Sequence, residues 1–182
     1  MTIKKQEYFG SNLIYTLTFP NLEVKKSFND YILNNYFIRV RDKAKVQINL
    51  YKQLLSANLN DLEQTLKSLL ASIAYNNFTN NEIEEYEGFY ASVLYAYVAG
   101  AGFEKIVAED VTNDGRIDLT VFIENKIYIF EFKVDKKGAL EQIKQKAYFN
   151  KYLSSEREVY IVGVEFDSKS RKNIVGYAWE RV

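Results

Sequence analysis

The chain has 182 residues, enough for one domain and at most a small appendage. Lys plus Arg (24) balances Asp plus Glu (24), so a globally basic nucleic-acid binder is not indicated, although a local basic patch stays open. Cys and His are both absent, which excludes disulfides, thiolate zinc centres, cysteine nucleophiles, Ser-His-Asp triads and HExxH zinc hydrolases.

Any enzyme built from this chain must therefore use carboxylates, Lys, Arg, Tyr, Ser/Thr or a metal held by oxygen. The opening residues (MTIKKQEYFG) lack the apolar core of a signal peptide, and no apolar run is long enough to span a bilayer. A cytoplasmic protein is expected.

In chain order, residues 12–19 predict a strand that stops at Pro20. Asn21 caps a helix reaching about Phe37, with Glu23 in its first turn, where the helix dipole favours an acid. Helices follow over 46–57 and 61–73. The second is capped by Asn60 or Asp61 and carries the stripe Leu62, Leu66, Leu69, Leu70, Ile73. A polar loop leads to a longer helix, 82–99, closed by Gly100 or Gly102. Strands are predicted over 103–111, 116–123 and 126–134, joined by turns at Asp114-Gly115 and Glu124-Asn125. A helix over 138–153 and strands over 158–165 and 173–180 complete the chain. From residue 82 the order is α-β-β-β-α-β-β, after a mostly helical start.

Charge is uneven along this order. Residues 80–131 are acidic, and residues 133–151 hold six lysines against Asp135 and Glu141. A solvated surface accounts for charge alone. The hairpin is more specific. If Glu124-Asn125 form a two-residue turn, Ile123 pairs with Lys126 and Asp118 stands opposite Glu131. The other face then pairs Ile117 with Phe132, Leu119 with Phe130 and Val121 with Tyr128, all apolar. A one-residue shift of the turn puts Asp118 opposite Lys133 instead. In either register Asp118, Glu131 and Lys133 share a face.

Like charges directly opposite each other destabilise a strand pair, and buried ions without partners are costly. A divalent cation resolves the conflict, because magnesium takes oxygen ligands and typically one or two carboxylates. The same Glu-Phe-Lys spacing also suits an exposed strand face; Asp118 and the flanking Phe130 and Phe132 favour a site. Glu87 interrupts the apolar stripe Ile83, Tyr90, Leu94, Tyr97, either as part of that site or as an acid placed by the helix dipole. Gln142 and Lys146 lie at i and i+4 beside the stripe Leu140, Ile143, Ala147, as a solvated helix edge also would. No GxxxxGK[ST] segment is present, so there is no phosphate-binding P-loop.

These residues resemble the PD-(D/E)xK nuclease superfamily. The likeness is strongest to the nuclease domain that follows an ATPase-like module in many bacterial proteins. It is carried by YEGFYASVLY (86–95), GRIDL (115–119), YIFEFK (128–133), ALEQI (139–143) and VGVEFD (162–167). Residues 13–33 resemble the junction just after the ATPase-like module. Ile117 stands where the family name has Pro.

The resemblance implies an α/β, restriction-endonuclease-like αβββαβ core: a mixed central sheet flanked by helices, preceded by a mostly helical segment. It divides the chain into a junction, 1–78, and a nuclease-like domain, 79–182. It implies a Mg²⁺- or Mn²⁺-dependent phosphodiesterase acting on nucleic acid, most readily DNA. Asp118, Glu131 and the Phe132 backbone carbonyl would hold the metal, with Glu87 acting directly or through water. Lys133 would be the catalytic lysine, and Gln142 the glutamine of the following helix. Lys136, Lys137, Lys144 and Lys146 would meet backbone phosphates. Longer relatives would add an ATPase-like partner module. A nuclease-fold module that binds nucleic acid or protein without turnover is the competing reading, and self-association through residues 1–75 is a third.

Overall fold

The computed structural model describes residues 2–9, 12–36, 43–71, 87–168 and 174–182. An antiparallel hairpin, β1 (Thr2–Phe9) and β2 (Asn12–Thr18), opens the chain. Three helices follow: α1 (Leu22–Tyr36), α2 (Lys43–Leu55) and α3 (Leu59–Ala71). Next come α4 (Glu87–Gly100), β3 (Lys105–Thr112), β4 (Gly115–Ile123) and β5 (Lys126–Val134). The chain closes with α5 (Ala139–Gln145), a 3-10 turn (Tyr148–Tyr152), β6 (Glu158–Phe166) and β7 (Ile174–Arg181).

The five strands β3–β7 form one sheet in sequence order. Only β5 and β6 run parallel, because α5 carries the chain back across the sheet between them. The expected mixed α/β architecture is therefore present, with helices on both faces. One face packs Leu119, Val121, Tyr128, Phe130 and Phe132 against α2, α3 and α4. The other packs Ile127, Ile129 and Ile161 against Leu140 and Ile143 of α5 and against Tyr148. Strands covered on both faces read as near-continuous apolar runs, as YIVGV and IYIF do here.

Helices α2 and α3 share the core of the sheet. Buried Tyr128 donates its hydroxyl to the Leu54 carbonyl (2.5 Å), in the last turn of α2, where helix carbonyls lack intrahelical partners. Tyr177 donates to the Leu59 carbonyl (2.8 Å), and the Trp179 indole N–H donates to Asn60 Oδ1 (3.1 Å). The stripe Leu62, Leu66, Leu69, Leu70 is buried as expected; Ile73 and Ile83 lie outside the described residues, as does the loop at 76–81.

Several boundaries differ from the sequence reading. β1 was not anticipated, because its polar run Lys4-Lys5-Gln6-Glu7 masks the alternation. Asn21 caps α1 as expected, its Oδ1 accepting the Val24 N–H (2.9 Å). Asn58, rather than Asn60 or Asp61, caps α3 through the Asp61 N–H. The first hairpin turns at Asn113-Asp114, with Thr112 opposite Gly115. The helix expected over 138–153 divides at Ala147, whose left-handed φ of 47° ends α5 and starts the 3-10 turn.

That 3-10 turn is held by a buried acid. Asp110 accepts hydrogen bonds from Thr120 Oγ1 (2.9 Å), the Tyr152 hydroxyl and the Lys151 ammonium. Burial alone would raise the Asp110 carboxyl. The bonds from Lys151, Tyr152 and Thr120 outweigh it and hold the group below its ordinary value. A depressed folded pKa stabilises the native state above the unfolded value, and that contribution is lost as pH falls through the folded one. Asp110→Asn should therefore destabilise the protein at neutral pH. The gap to wild type should be full above about pH 4 and close on further acidification. Urea unfolding across that range tests it; a gap independent of pH would contradict it.

Candidate metal centre

The β4–β5 ladder pairs Leu119 with Phe130 and continues to Ile123 opposite Lys126, around the two-residue Glu124-Asn125 turn. This is the first of the two registers considered, and continued by one step it sets Asp118 opposite Glu131. The shifted register is not adopted. The apolar face forms as expected with one exception: Ile117 joins the α5-side cluster, while Leu119 stays with the helices α2–α4. Face alternation thus breaks at Asp118.

The pairing on the other side breaks there too. Ala108 pairs with Leu119 and Asp110 with Ile117, but Glu109, at φ 51°, is not paired with Asp118. Such irregularities re-aim side chains. Half-buried Asp118 turns its carboxylate along the sheet, and Oδ2 accepts the Phe132 N–H (2.8 Å).

Glu131 is 2% exposed. Its Oε1 accepts hydrogen bonds from Lys133 Nζ (2.9 Å) and from the Gln142 amide on α5. Lys133 Nζ also donates to the Phe132 carbonyl (3.0 Å). Phe132 is thereby held at both backbone ends, its N–H by Asp118 and its carbonyl by Lys133. Asp118, Glu131, Phe132, Lys133 and Gln142 are brought together. Glu87 opens α4, and its side chain lies outside the described residues.

The basic segment does not form a single surface. Lys136 and Lys137 are exposed just beyond β5, beside a cavity of about 420 Å³ that Asp135 and Asp167 also line. Lys144 is ion-paired with Glu180 of β7, and Lys146 is exposed at the end of α5. One residue near the site has no role assigned by the sequence, although it lies within VGVEFD. Glu165 of β6 stands beside Lys133 and accepts the Gly138 N–H (2.6 Å) ahead of α5. Its signal was an acid inside the apolar run VYIVGVEF.

Among the described residues, no group of three or more Asp, Glu, His or Cys gathers as a ready-made cage. Two carboxylates and a carbonyl nevertheless suit magnesium, which keeps several waters and uses one or two carboxylates. Glu131 Oε1 and the Phe132 carbonyl both accept from the Lys133 ammonium, so these oxygens already face a positive charge.

Comparison with known proteins shows the family of the chain. A family model described as the PD-(D/E)XK nuclease superfamily matches residues 85–175. The chain belongs to that superfamily. It is also 37% identical over 184 residues to a protein of Azotobacter chroococcum mcd 1 described as an uncharacterized protein in the vnfD 5' region. The similarity covers 99% of this chain and 35% of the relative, so the chain spans little more than a third of that protein's length.

The Lys133–Glu131 pair is well buried, with side-chain exposures of 13% and 2%. Removing one partner of such a pair costs about 3–5 kcal/mol, whereas replacing both is often nearly neutral. Lys133→Met should lower unfolding stability by about that amount, and adding Glu131→Gln should recover most of it. Urea unfolding at neutral pH measures both; a Lys133→Met protein as stable as wild type would refute the pairing.

Proposed function

We propose that the protein is a Mg²⁺- or Mn²⁺-dependent nuclease that hydrolyses phosphodiester bonds, with DNA as substrate. One observation carries the reading: a carboxylate 2% exposed, Glu131, and the neighbouring Phe132 carbonyl converge on one cation beside Asp118, in a chain of nuclease ancestry.

In this reading Asp118, Glu131 and the Phe132 carbonyl hold the ion, and Glu87 contributes from the start of α4. An ion held there would supply Lewis-acid stabilisation of the phosphate. Lys133 moves its ammonium from Glu131 to the substrate, where it donates to a phosphate oxygen or orients the attacking water. Gln142 donates to Glu131 and keeps its carboxylate turned toward the site. Preorganised donors of this kind act where charge develops in the transition state. Lys136, Lys137 and Lys146 contact backbone phosphates, so binding falls with salt and carries little sequence readout. Lys144 contributes once it leaves Glu180. The length of the Azotobacter relative leaves room for a further module, and an ATPase-like one preceding residues 1–78 fits the junction-like sequence.

The alternative is a binding module without turnover. It is favoured by the Lys133 ammonium, which stands on Glu131 Oε1 and the Phe132 carbonyl, the oxygens assigned to the ion.

Purified protein incubated with plasmid and linear DNA should cut them with Mg²⁺ or Mn²⁺ and not with EDTA. Asp118→Ala and Glu131→Ala should each reduce cutting at least about 100-fold, as expected when a metal ligand is lost. Cleavage that survives in either variant removes this site from the reaction. Nucleic-acid binding without cutting, and without Mn²⁺ binding by calorimetry, supports the alternative.

A further inference from the structure

Resting on the metal reading, a second question is what sets Gln142 at the height from which it reaches Glu131. α5 has only seven residues, too short to hold its place by itself. Its seat is on β6. Gly163 stands beside Glu131 in the parallel register, and α5 begins directly above it. A Cβ added at Gly163 would lie 2.4 Å from the Leu140 nitrogen and 2.9 Å from its Cα. Both are backbone atoms, so any side chain there must lift the helix.

Two residues further along β6, Glu165 ties down the front of α5. Its Oε1 accepts the Gly138 N–H (2.6 Å) and approaches the Ala139 N–H (3.4 Å), groups that precede or open a helix and need an acceptor. Glu165 in turn lies over a second glycine, Gly176, its partner on β7. A Cβ at Gly176 would fall 2.4 Å from Glu165 Oε2 and 2.9 Å from its Cδ. Neither glycine needs a left-handed φ; both are there for space.

We infer that Gly163, Glu165 and Gly176 are positioning residues for the candidate metal centre. Gly176 leaves room for Glu165, Glu165 fixes the start of α5, Gly163 sets its height, and Gln142 then meets Glu131. The effect runs from the edge strand β7 across β6 to β5, through one helix.

Mn²⁺ titration of the intact chain tests the inference, with thermal unfolding in the absence of metal as the check on folding. Gly163→Ala should weaken Mn²⁺ binding roughly 10- to 100-fold, the range seen when outer partners of metal ligands are lost. Because that variant moves backbone, Gly176→Ala is the decisive one: it displaces the flexible end of Glu165 and asks its Cβ, 3.1 Å away, to give only slightly, so the fold should persist. Gly176→Ala should weaken Mn²⁺ binding roughly tenfold. Glu165→Ala should do the same, and Glu165→Gln, which retains an acceptor oxygen, should restore most of the affinity. In a Gln142→Ala background the Gly176→Ala effect should largely vanish, since both act through one contact. Wild type that binds Mn²⁺ while folded Gly176→Ala binds equally well overturns this inference alone. Equal, additive losses with and without Gln142 overturn it too. Wild type that binds no Mn²⁺ overturns the metal reading, and this inference with it.

Discussion

A carboxylate withdrawn from water has to be met by donors inside the protein, and much of this molecule is arranged around that demand at Glu131. Leaving a charge buried without compensation costs several kcal/mol, a large share of a domain's net stability. The compensation comes from two directions: Lys133 from the same strand and Gln142 from the helix laid across it. The parallel β5–α5–β6 connection is the element that delivers the second donor. A sheet extended by hairpins alone would bring no helix over Glu131. The polar cluster and the crossover therefore depend on each other.

The β4 strand shows how the same sheet makes room for a second acid. Regular pairing would leave Asp118 and Glu131 as opposed like charges, an unfavourable arrangement. The strand instead loses its partner on both sides at Asp118, and the carboxylate is redirected to a backbone N–H one residue beyond Glu131. The irregularity at Glu109 belongs to the same distortion. Two acids thus sit close in sequence register while each has donors of its own. Chemically this is an oxygen-rich cluster, and the Lys133 ammonium occupies part of it.

Away from the site, tyrosines do much of the joining. Tyr128 and Tyr177 reach from the sheet to backbone carbonyls at the α2–α3 connection, and the first helical hairpin is thereby locked to the strands. On the other face Asp110 gathers Thr120, Lys151 and Tyr152, which fixes the 3-10 turn after α5. Lys151 is spent on that internal contact. The lysine-rich segment therefore presents a thinner positive surface than its composition suggests, concentrated at Lys136, Lys137 and Lys146.

Much of this was legible from residue order. Alternation limited the β4–β5 hairpin to two registers with the same faces, and the structure adopts the one that turns at Glu124-Asn125. The absence of His and Cys limited the chemistry to oxygen and lysine groups, and the grouping of Asp118, Glu131 and Lys133 followed from the hairpin. The break in α5 was not legible, since Lys146-Ala147 has good helix formers and only the tertiary pull of Asp110 on Lys151 and Tyr152 accompanies the left-handed turn there. Nor was the break in pairing at Asp118, which involves strands on both sides. The roles of Gly163, Glu165 and Gly176 were equally hidden. A glycine in a strand is locally only a weak residue, and its purpose is visible only when a helix from elsewhere in the chain is packed against it. Local pattern determined which groups line up along each strand; close packing between distant segments decided how near they come and which donor each acid meets.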